Sequence, residues 1–193
     1  MQISKESSLA IHYEDLEKIY SWIDELLQYI EAELINGGFE VTCMVLNEND
    51  YIGKVLRRLI IHKNYTKRCQ AGRLHRSFTP DGDIYPCDSF IGIKEYKLGN
   101  IFSGENKIFN NRSVLERENC KECWIRFVCG GDCYYNSFCC NNDPYNPDNI
   151  FCKVMEYIVK ASLVMFNNVE KRNGDILQTL SRIQEVRDNV LYT

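Results

Sequence analysis

Histidine is scarce in this sequence, with three in 193 residues, and none stands beside a cysteine in a nucleophile–base arrangement. That disfavours an independent enzyme working through a cysteine nucleophile. Long apolar runs are missing too. No stretch reaches the roughly 18 consecutive apolar residues that a membrane helix needs. The opening residues, MQISKESSLA, lack the basic start, apolar stretch and cleavage-like end of a secretory leader. Nor is there an excess of positive charge. The formal net charge is -4, which removes the electrostatic footprint expected of a nucleic-acid binder. These absences predict a cytoplasmic protein with neither membrane nor nucleic acid among its partners. What the chain does have is enough hydrophobic residues for a packed core, 45%, and ten cysteines. Ten in 193 is about 5%, below the ~8–10% of a disulfide scaffold. In a reducing compartment, clustered thiols point to metal ligands or catalytic groups rather than cystines.

The cysteines divide the chain. Residues 1–68 hold one, residues 69–152 hold nine, and residues 153–193 hold none. In the first part, Leu16, Ile19, Tyr20, Ile23, Leu26, Leu27, Ile30 and Leu34 recur at helical spacing, and Gly37-Gly38 ends the pattern. FEVTCMVL then reads as a short strand and YIGKVLRRLIIH as a second helix. These apolar stripes predict core packing rather than a partner site. The middle part is loop-rich. Pro80-Asp81-Gly82-Asp83 predicts a turn between hairpin arms RSFT and DIYP, and Pro86 predicts the strand's end. In the last part, IFCKVMEYIVKASLVMFNNVEKR reads as a helix stopping at Gly174. A final helix follows, with Ile176, Leu177, Leu180, Ile183 and Val186 on one side.

The densest stretch is CKECWIRFVCGGDC, in which Cys120, Cys123, Cys129 and Cys133 are separated by two, five and three residues. Thiolates select borderline and soft metals, and four around one centre suit zinc or an iron–sulfur cluster. Structural zinc sites usually pair two short C-x2-C knuckles, and only Cys120/Cys123 forms one. The uneven spacing fits better a larger inorganic core that takes ligands from several directions. Gly130 and Gly131 allow the backbone to approach such a core closely. Trp124, Phe127, Tyr134, Tyr135 and Phe138 flank the thiols, and rings around a cluster exclude water, though for any one of them ordinary core filling is the commoner role.

Twelve residues lie between Cys69 and Gly82, four between Gly82 and Cys87, and Cys152 follows the dense run after a gap. The pattern C-x12-G-x4-C, gap, C-x2-C-x5-C-x3-C, gap, C resembles the seven-cysteine signature of the SPASM domain. That domain is the C-terminal auxiliary-cluster module of many radical SAM peptide and protein maturases. PDGDIYPC, LGNIF and CGGDC are similar to the family's wording, and the resemblance covers residues 69–152 with a helical continuation to about Phe166. It implies two auxiliary [4Fe-4S] clusters. Cys69, Cys87 and Cys133 match ligands of the first, and Cys120, Cys123, Cys129 and Cys152 those of the second. Cys133 would thus leave its neighbours for the other cluster, as the last cysteine of a ferredoxin run does. Some relatives have an eighth cysteine between the positions of Cys69 and Cys87, and this sequence does not. The fourth position of the first cluster is therefore left to substrate, to a side chain such as Asp or His75, or to one of Cys43, Cys139 and Cys140.

A complete radical SAM enzyme carries a C-x3-C-x2-C loop for the cluster that binds S-adenosylmethionine. Cys129 and Cys133 give the first interval, but Asn136 stands where the third cysteine is needed. The segment before Cys69 is also too short for the βα units of the barrel. The expected fold is α+β: a small loop-rich iron–sulfur domain with a short β-hairpin, flanked by N- and C-terminal helices. The expected organisation is 1–68 as the end of a radical SAM barrel plus connector, 69–170 as the auxiliary-cluster domain, and 171–193 as a C-terminal helix. The implied role is electron transfer, peptide positioning, or both, in radical SAM-dependent modification, with no catalysis by this chain alone. The implied partners are a peptide or protein substrate, a radical SAM core, and a donor such as a ferredoxin or flavodoxin. The alternative is a structural metal module, zinc or iron–sulfur, that binds a peptide or partner without redox work.

Overall fold

The predicted N-terminal stripe forms a helix, α1 (Leu16–Ile35), in a computed structural model that describes residues 10–46, 50–61, 64–175, 178–182 and 185. Leu16, Ile23, Leu27, Ile30 and Leu34 are buried along one face, at the three- and four-residue spacing that makes a helix amphipathic. Two shorter helices follow, α2 (Glu40–Val45) and α3 (Tyr51–Ile60). Asp50 caps α3 by accepting from the Gly53 amide at 2.6 Å, satisfying one of the donors that every helix start leaves over.

α2 occupies FEVTCMVL, where the β-branched residues and alternation predict a strand. The helix forms because the Glu33 carboxylate, from the end of α1, sits at its N-terminus. It accepts from the Val41 amide at 2.8 Å, the Thr42 amide at 2.9 Å and the Thr42 hydroxyl at 2.6 Å. A capping group eight residues upstream overrides a weak local β preference.

The long C-terminal helix, α6 (Asn149–Asn173), stops at Gly174 as the sequence predicts. It buries Phe151, Met155, Ile158, Val159, Met165, Phe166 and Val169, each worth about 1.5–3 kcal/mol relative to exposure. It packs on α1, where Tyr20 stacks on Tyr157 with ring centroids 3.9 Å apart and Tyr157 donates to Asp24 at 2.7 Å. Among the described residues no helix is long and apolar enough to cross a membrane. Residues 178–182 are helical and Leu180 is buried, whereas Ile176, Leu177, Ile183 and Val186 of the expected last helix lie outside the described residues.

The middle of the chain forms four short antiparallel strands in sequential order: β1 (Ser77–Phe78), β2 (Asp83–Tyr85), β3 (Gly99–Asn100) and β4 (Gly104–Glu105). The β1–β2 hairpin is the one expected. The Gly82 amide bonds the Thr79 carbonyl at 2.9 Å and Gly82 takes a φ of +82°, the left-handed position that favours glycine in a hairpin turn. β2 ends at Tyr85, immediately before Pro86. LGNIF supplies β3 and turns back into β4, extending the hairpin to a meander. Two short helices complete this region, α4 (Arg126–Cys129) and α5 (Tyr134–Asn141). The architecture is thus α+β, with its strands in one small sheet.

The chain divides into two compact units. The first comprises Tyr65–Arg126 and Gly130–Asp148. Its core gathers Ala71, Ile84, Tyr85, Phe90, Leu98, Phe109 and Tyr134. Phe90 is fully buried at the centre, with the rings of Tyr96, Tyr135, Phe109 and Phe138 at 4.5, 5.3, 5.7 and 6.0 Å. The second contains α1, α2, α3 and α6 together with Phe127–Cys129.

Candidate functional site

Cys69, Cys87 and Cys133 all belong to the first unit, on three segments far apart in sequence. Cys69 enters a tight loop whose Gly72 amide donates to the Pro86 carbonyl at 2.9 Å, which sets that loop beside the chain entering Cys87. Asn111 holds the same loop, its amide nitrogen donating to the carbonyls of Cys69 at 3.2 Å and Ala71 at 2.8 Å. Cys87 precedes a single turn of 3₁₀ helix, Asp88–Phe90, which anchors it to the aromatic core. Cys133 precedes α5. Its backbone amide donates to the Asp132 carboxylate at 2.7 Å.

Burial pushes the Cys69 thiol up, and although the residue is exposed overall, the Ala71 amide, Arg68 and Arg117 favour its thiolate while Cys133 opposes it. Burial likewise raises Cys87, against the amides of Phe90 and Ser89, and Cys133 again adds to the rise. Cys133 thus acts in the same direction on both of the thiols that the SPASM resemblance pairs with it.

Cys120 and Cys123 form a second group in the same unit. Successive turns carry them, with amides of Cys120, Cys123 and Arg126 bonded to the carbonyls of Arg117, Cys120 and Cys123 at 2.9, 3.0 and 3.1 Å. Burial raises the Cys120 thiol, Arg117 lowers it, and Cys123 and Asp132 raise it further. Cys129, buried, ends α4 in the second unit, where the Arg58 guanidinium donates to the carbonyls of Val128 at 2.6 Å and Cys129 at 2.7 Å. Those are carbonyls that a helix end leaves without intrahelical partners. Cys152, half-buried, lies in the first turns of α6.

The other candidates are placed less suggestively. Cys43 lies in α2, and Cys139 and Cys140 lie in α5, where a hydrogen bond to Cys139 is the main cause that raises Tyr135. His75 is exposed, pairing its backbone with Ala71. Of the flanking rings, Tyr134, Tyr135 and Phe138 join the core of the first unit, whereas Trp124 is 53% exposed. A groove of about 390 Å³ in the second unit, lined by residues including Asp24, Glu31 and Lys160, contains no cysteine. Tyr157 on its wall is pushed up to about 12, first by its bond to Asp24, so it stays a neutral donor there.

Sequence reasoning passed over two buried polar residues of the first unit, Asp132 and Arg117. Asp132 is 1% exposed and accepts four hydrogen bonds: Cys133 amide at 2.7 Å, Asn136 at 2.9 Å, Asp148 amide at 3.1 Å and Ser137 at 3.3 Å. It ties the CGGDC loop to α5 and to the loop before α6. Arg117 is also 1% exposed. Its Nη1 donates to the Asp132 carbonyl at 3.0 Å, and its guanidinium lies over the Tyr134 ring at 4.1 Å. The Tyr134 hydroxyl is turned to the Arg112 carbonyl at 2.8 Å, so the guanidinium meets the ring face. The Asp between two cysteines was a usable signal, whereas an Arg three residues before Cys120 was not.

Gly130 and Gly131 have φ values of +71° and +89°. The close approach that Gly131 allows is to Arg117: a Cβ there would lie 2.8 Å from Nη1. Among the described residues no group of three or more His, Cys, Asp or Glu side chains is arranged to hold a metal ion. That bears on a single ion, whose thiolates would converge to about 2.3 Å from one point. The donor chemistry fits a thiolate-ligated cluster: none of the ten cysteines is joined as cystine, and Cys69, Cys87, Cys120, Cys123 and Cys133 all lie in the first unit.

No family model matches the chain. It is similar to a serine-type anaerobic sulfatase-maturating enzyme of Bacteroides thetaiotaomicron, 35% identical over 38% of this chain and 20% of that protein. It is also similar to an uncharacterized protein of Archaeoglobus fulgidus, 31% identical over 34% of this chain and 17% of that one. The chain thus matches about a fifth of the length of these curated relatives. The partial match relates the chain to a maturating enzyme. It does not extend to the SPASM assignment or the cluster ligands.

Proposed function

We propose that this chain is a SPASM-type auxiliary iron–sulfur module of a radical SAM peptide or protein maturase, binding two [4Fe-4S] clusters. Cys69, Cys87 and Cys133 would hold the first, and Cys120, Cys123, Cys129 and Cys152 the second. The observation that carries this reading is the Gly72-to-Pro86 backbone bond, which sets the Cys69 loop beside the chain entering Cys87, together with the packing of Cys87 and of Tyr134 and Tyr135, which follow Cys133, in one aromatic core. The resemblance to the SPASM signature implied the crossover of Cys133 to that set. Bound clusters would supply one-electron transfer. The chain's own residues do the rest. Asn111 holds the Cys69 loop, Asp132 fixes the Cys133 backbone, and the Phe90 core keeps water from one side of Cys87.

The module would serve electron transfer, peptide positioning or both, in the cytoplasm. S-adenosylmethionine cleavage would fall to a radical SAM core with its own cluster, since C-x3-C-x2-C is absent here. Residues 1–68 would be the end of that core and its connector, 69–170 the cluster domain, and 171–193 a terminal helix. A ferredoxin or flavodoxin would be the electron donor. Anaerobic reconstitution tests this directly. The chain should take up about eight irons, four per cubane, and C133A should lose the first cluster before the second, falling toward about four. Stoichiometric zinc without iron in anaerobically purified protein would overturn the proposal.

A further inference from the structure

Arg117 is a cation buried to 1% exposure whose Nε and Nη2 donors have no hydrogen-bond partner among the described residues. Burying a guanidinium without partners costs several kcal/mol, and buried donors in native proteins are almost always satisfied. The Asp132 carboxylate does not serve: its oxygens receive Cys133, Asn136, Ser137 and Asp148, and Arg117 bonds only the Asp132 carbonyl. The position is nonetheless built for this side chain. Tyr134 supplies a ring face at 4.1 Å, and Gly131 leaves the space that a Cβ would take. Ordered water would satisfy a donor but brings no negative charge. What Arg117 does lie between is one residue of each proposed ligand set: its Nη1 bonds the carbonyl of the Asp132–Cys133 peptide at 3.0 Å, and its own carbonyl accepts from the Cys120 amide at 2.9 Å.

We infer that Arg117 is a shared tuning residue, its two unpartnered donors directed to the sulfur atoms of both clusters. This rests on the two-cluster reading above and goes beyond it in assigning a protein group that sets the clusters' potentials. A thiolate-bound cluster becomes more negative on reduction, so a buried cation beside it stabilises the reduced state and raises the potential. Arg117 touches no substrate and acts through the clusters.

The test compares anaerobically reconstituted wild type, R117K and R117Q by iron assay and spectroelectrochemical titration. With iron content equal, R117Q should shift the reduction equilibrium of at least one cluster about tenfold toward the oxidised form, about 59 mV for one electron. R117K, which keeps the charge, should recover most of that shift. R117Q with full iron and both equilibria within about twofold of wild type overturns the inference and leaves the two-cluster reading standing. Wild type that takes up no iron overturns both. If R117Q does not load, reduced wild type labelled with 15N-arginine decides by pulsed EPR. A 15N coupling that disappears in R117K supports the assignment, and its absence from wild type overturns it.

Discussion

Replacing Asp132 by alanine removes one side chain and leaves four donors without their acceptor. Two are backbone amides, of Cys133 and Asp148, and two are the side chains of Asn136 and Ser137. A buried donor left unsatisfied costs about 1–3 kcal/mol. Cys133 and Asp148 are only half-buried, so the two amides fall at the lower end, about 2–3 kcal/mol together. The side-chain donors can rotate toward water and add little. Against this, burial holds the Asp132 carboxyl above its usual range, so losing it relieves some desolvation. The expected net cost of D132A is about 2 kcal/mol. D132N retains one oxygen, which can take the place of the atom serving Asn136, Ser137 and Asp148, so only the Cys133 amide is lost, at about 1 kcal/mol. Urea unfolding followed by far-UV circular dichroism measures both. With a slope of about 2 kcal/mol/M, D132A should lower the midpoint by about 1 M and D132N by about half as much. A D132A midpoint unchanged from wild type, or a D132N as costly as D132A, would refute the claim that this carboxylate knits the cysteine-rich loop together.

Two further substitutions test the packing and the local capping. F90A removes a fully buried ring touching four others; it should cost about 3–5 kcal/mol and weaken the near-UV aromatic dichroism, and an unchanged spectrum and midpoint would contradict the assigned core. E33A should cost about 1 kcal/mol by uncapping α2. Burial works against the Glu33 charge, but its bonds from Thr42 and Val41 outweigh this and hold its pKa below the usual range. The stability it contributes is therefore full above about pH 4.3 and is lost as pH falls through the lower folded value. Wild type and E33A should differ at neutral pH and converge in acid, and a constant difference would contradict the capping role.

Helical stripes long enough to be read locally, in α1 and α6, were legible in the sequence, as was the Pro80–Gly82 hairpin. Each is specified by residues within its own segment. α2 was not, because the Glu33 carboxylate that caps it belongs to another helix, while Phe39, Val41 and Thr42 favour a strand locally. The sheet was half legible: Gly99 and Gly104 carry no strand propensity, and β3 and β4 exist through pairing to β2. At the candidate site, spacing drew attention to the cysteines, and the grouping of Cys133 with Cys69 and Cys87 came from the SPASM resemblance. It was silent on Arg117 and Asn111, whose importance lies in burial and in bonds to residues up to 42 positions away.

The grip of Arg58 on the last two carbonyls of α4 has a practical bearing on how this polypeptide can be dissected. A fragment cut to begin at Cys69 would contain every thiol of the seven-residue signature and yet discard the guanidinium that steadies the Cys129 backbone. The peptide oxygens beneath that sulfur would be stripped of their clamp. Excision for biophysics should therefore start upstream of Tyr51, so that α3 travels with the cysteines it serves.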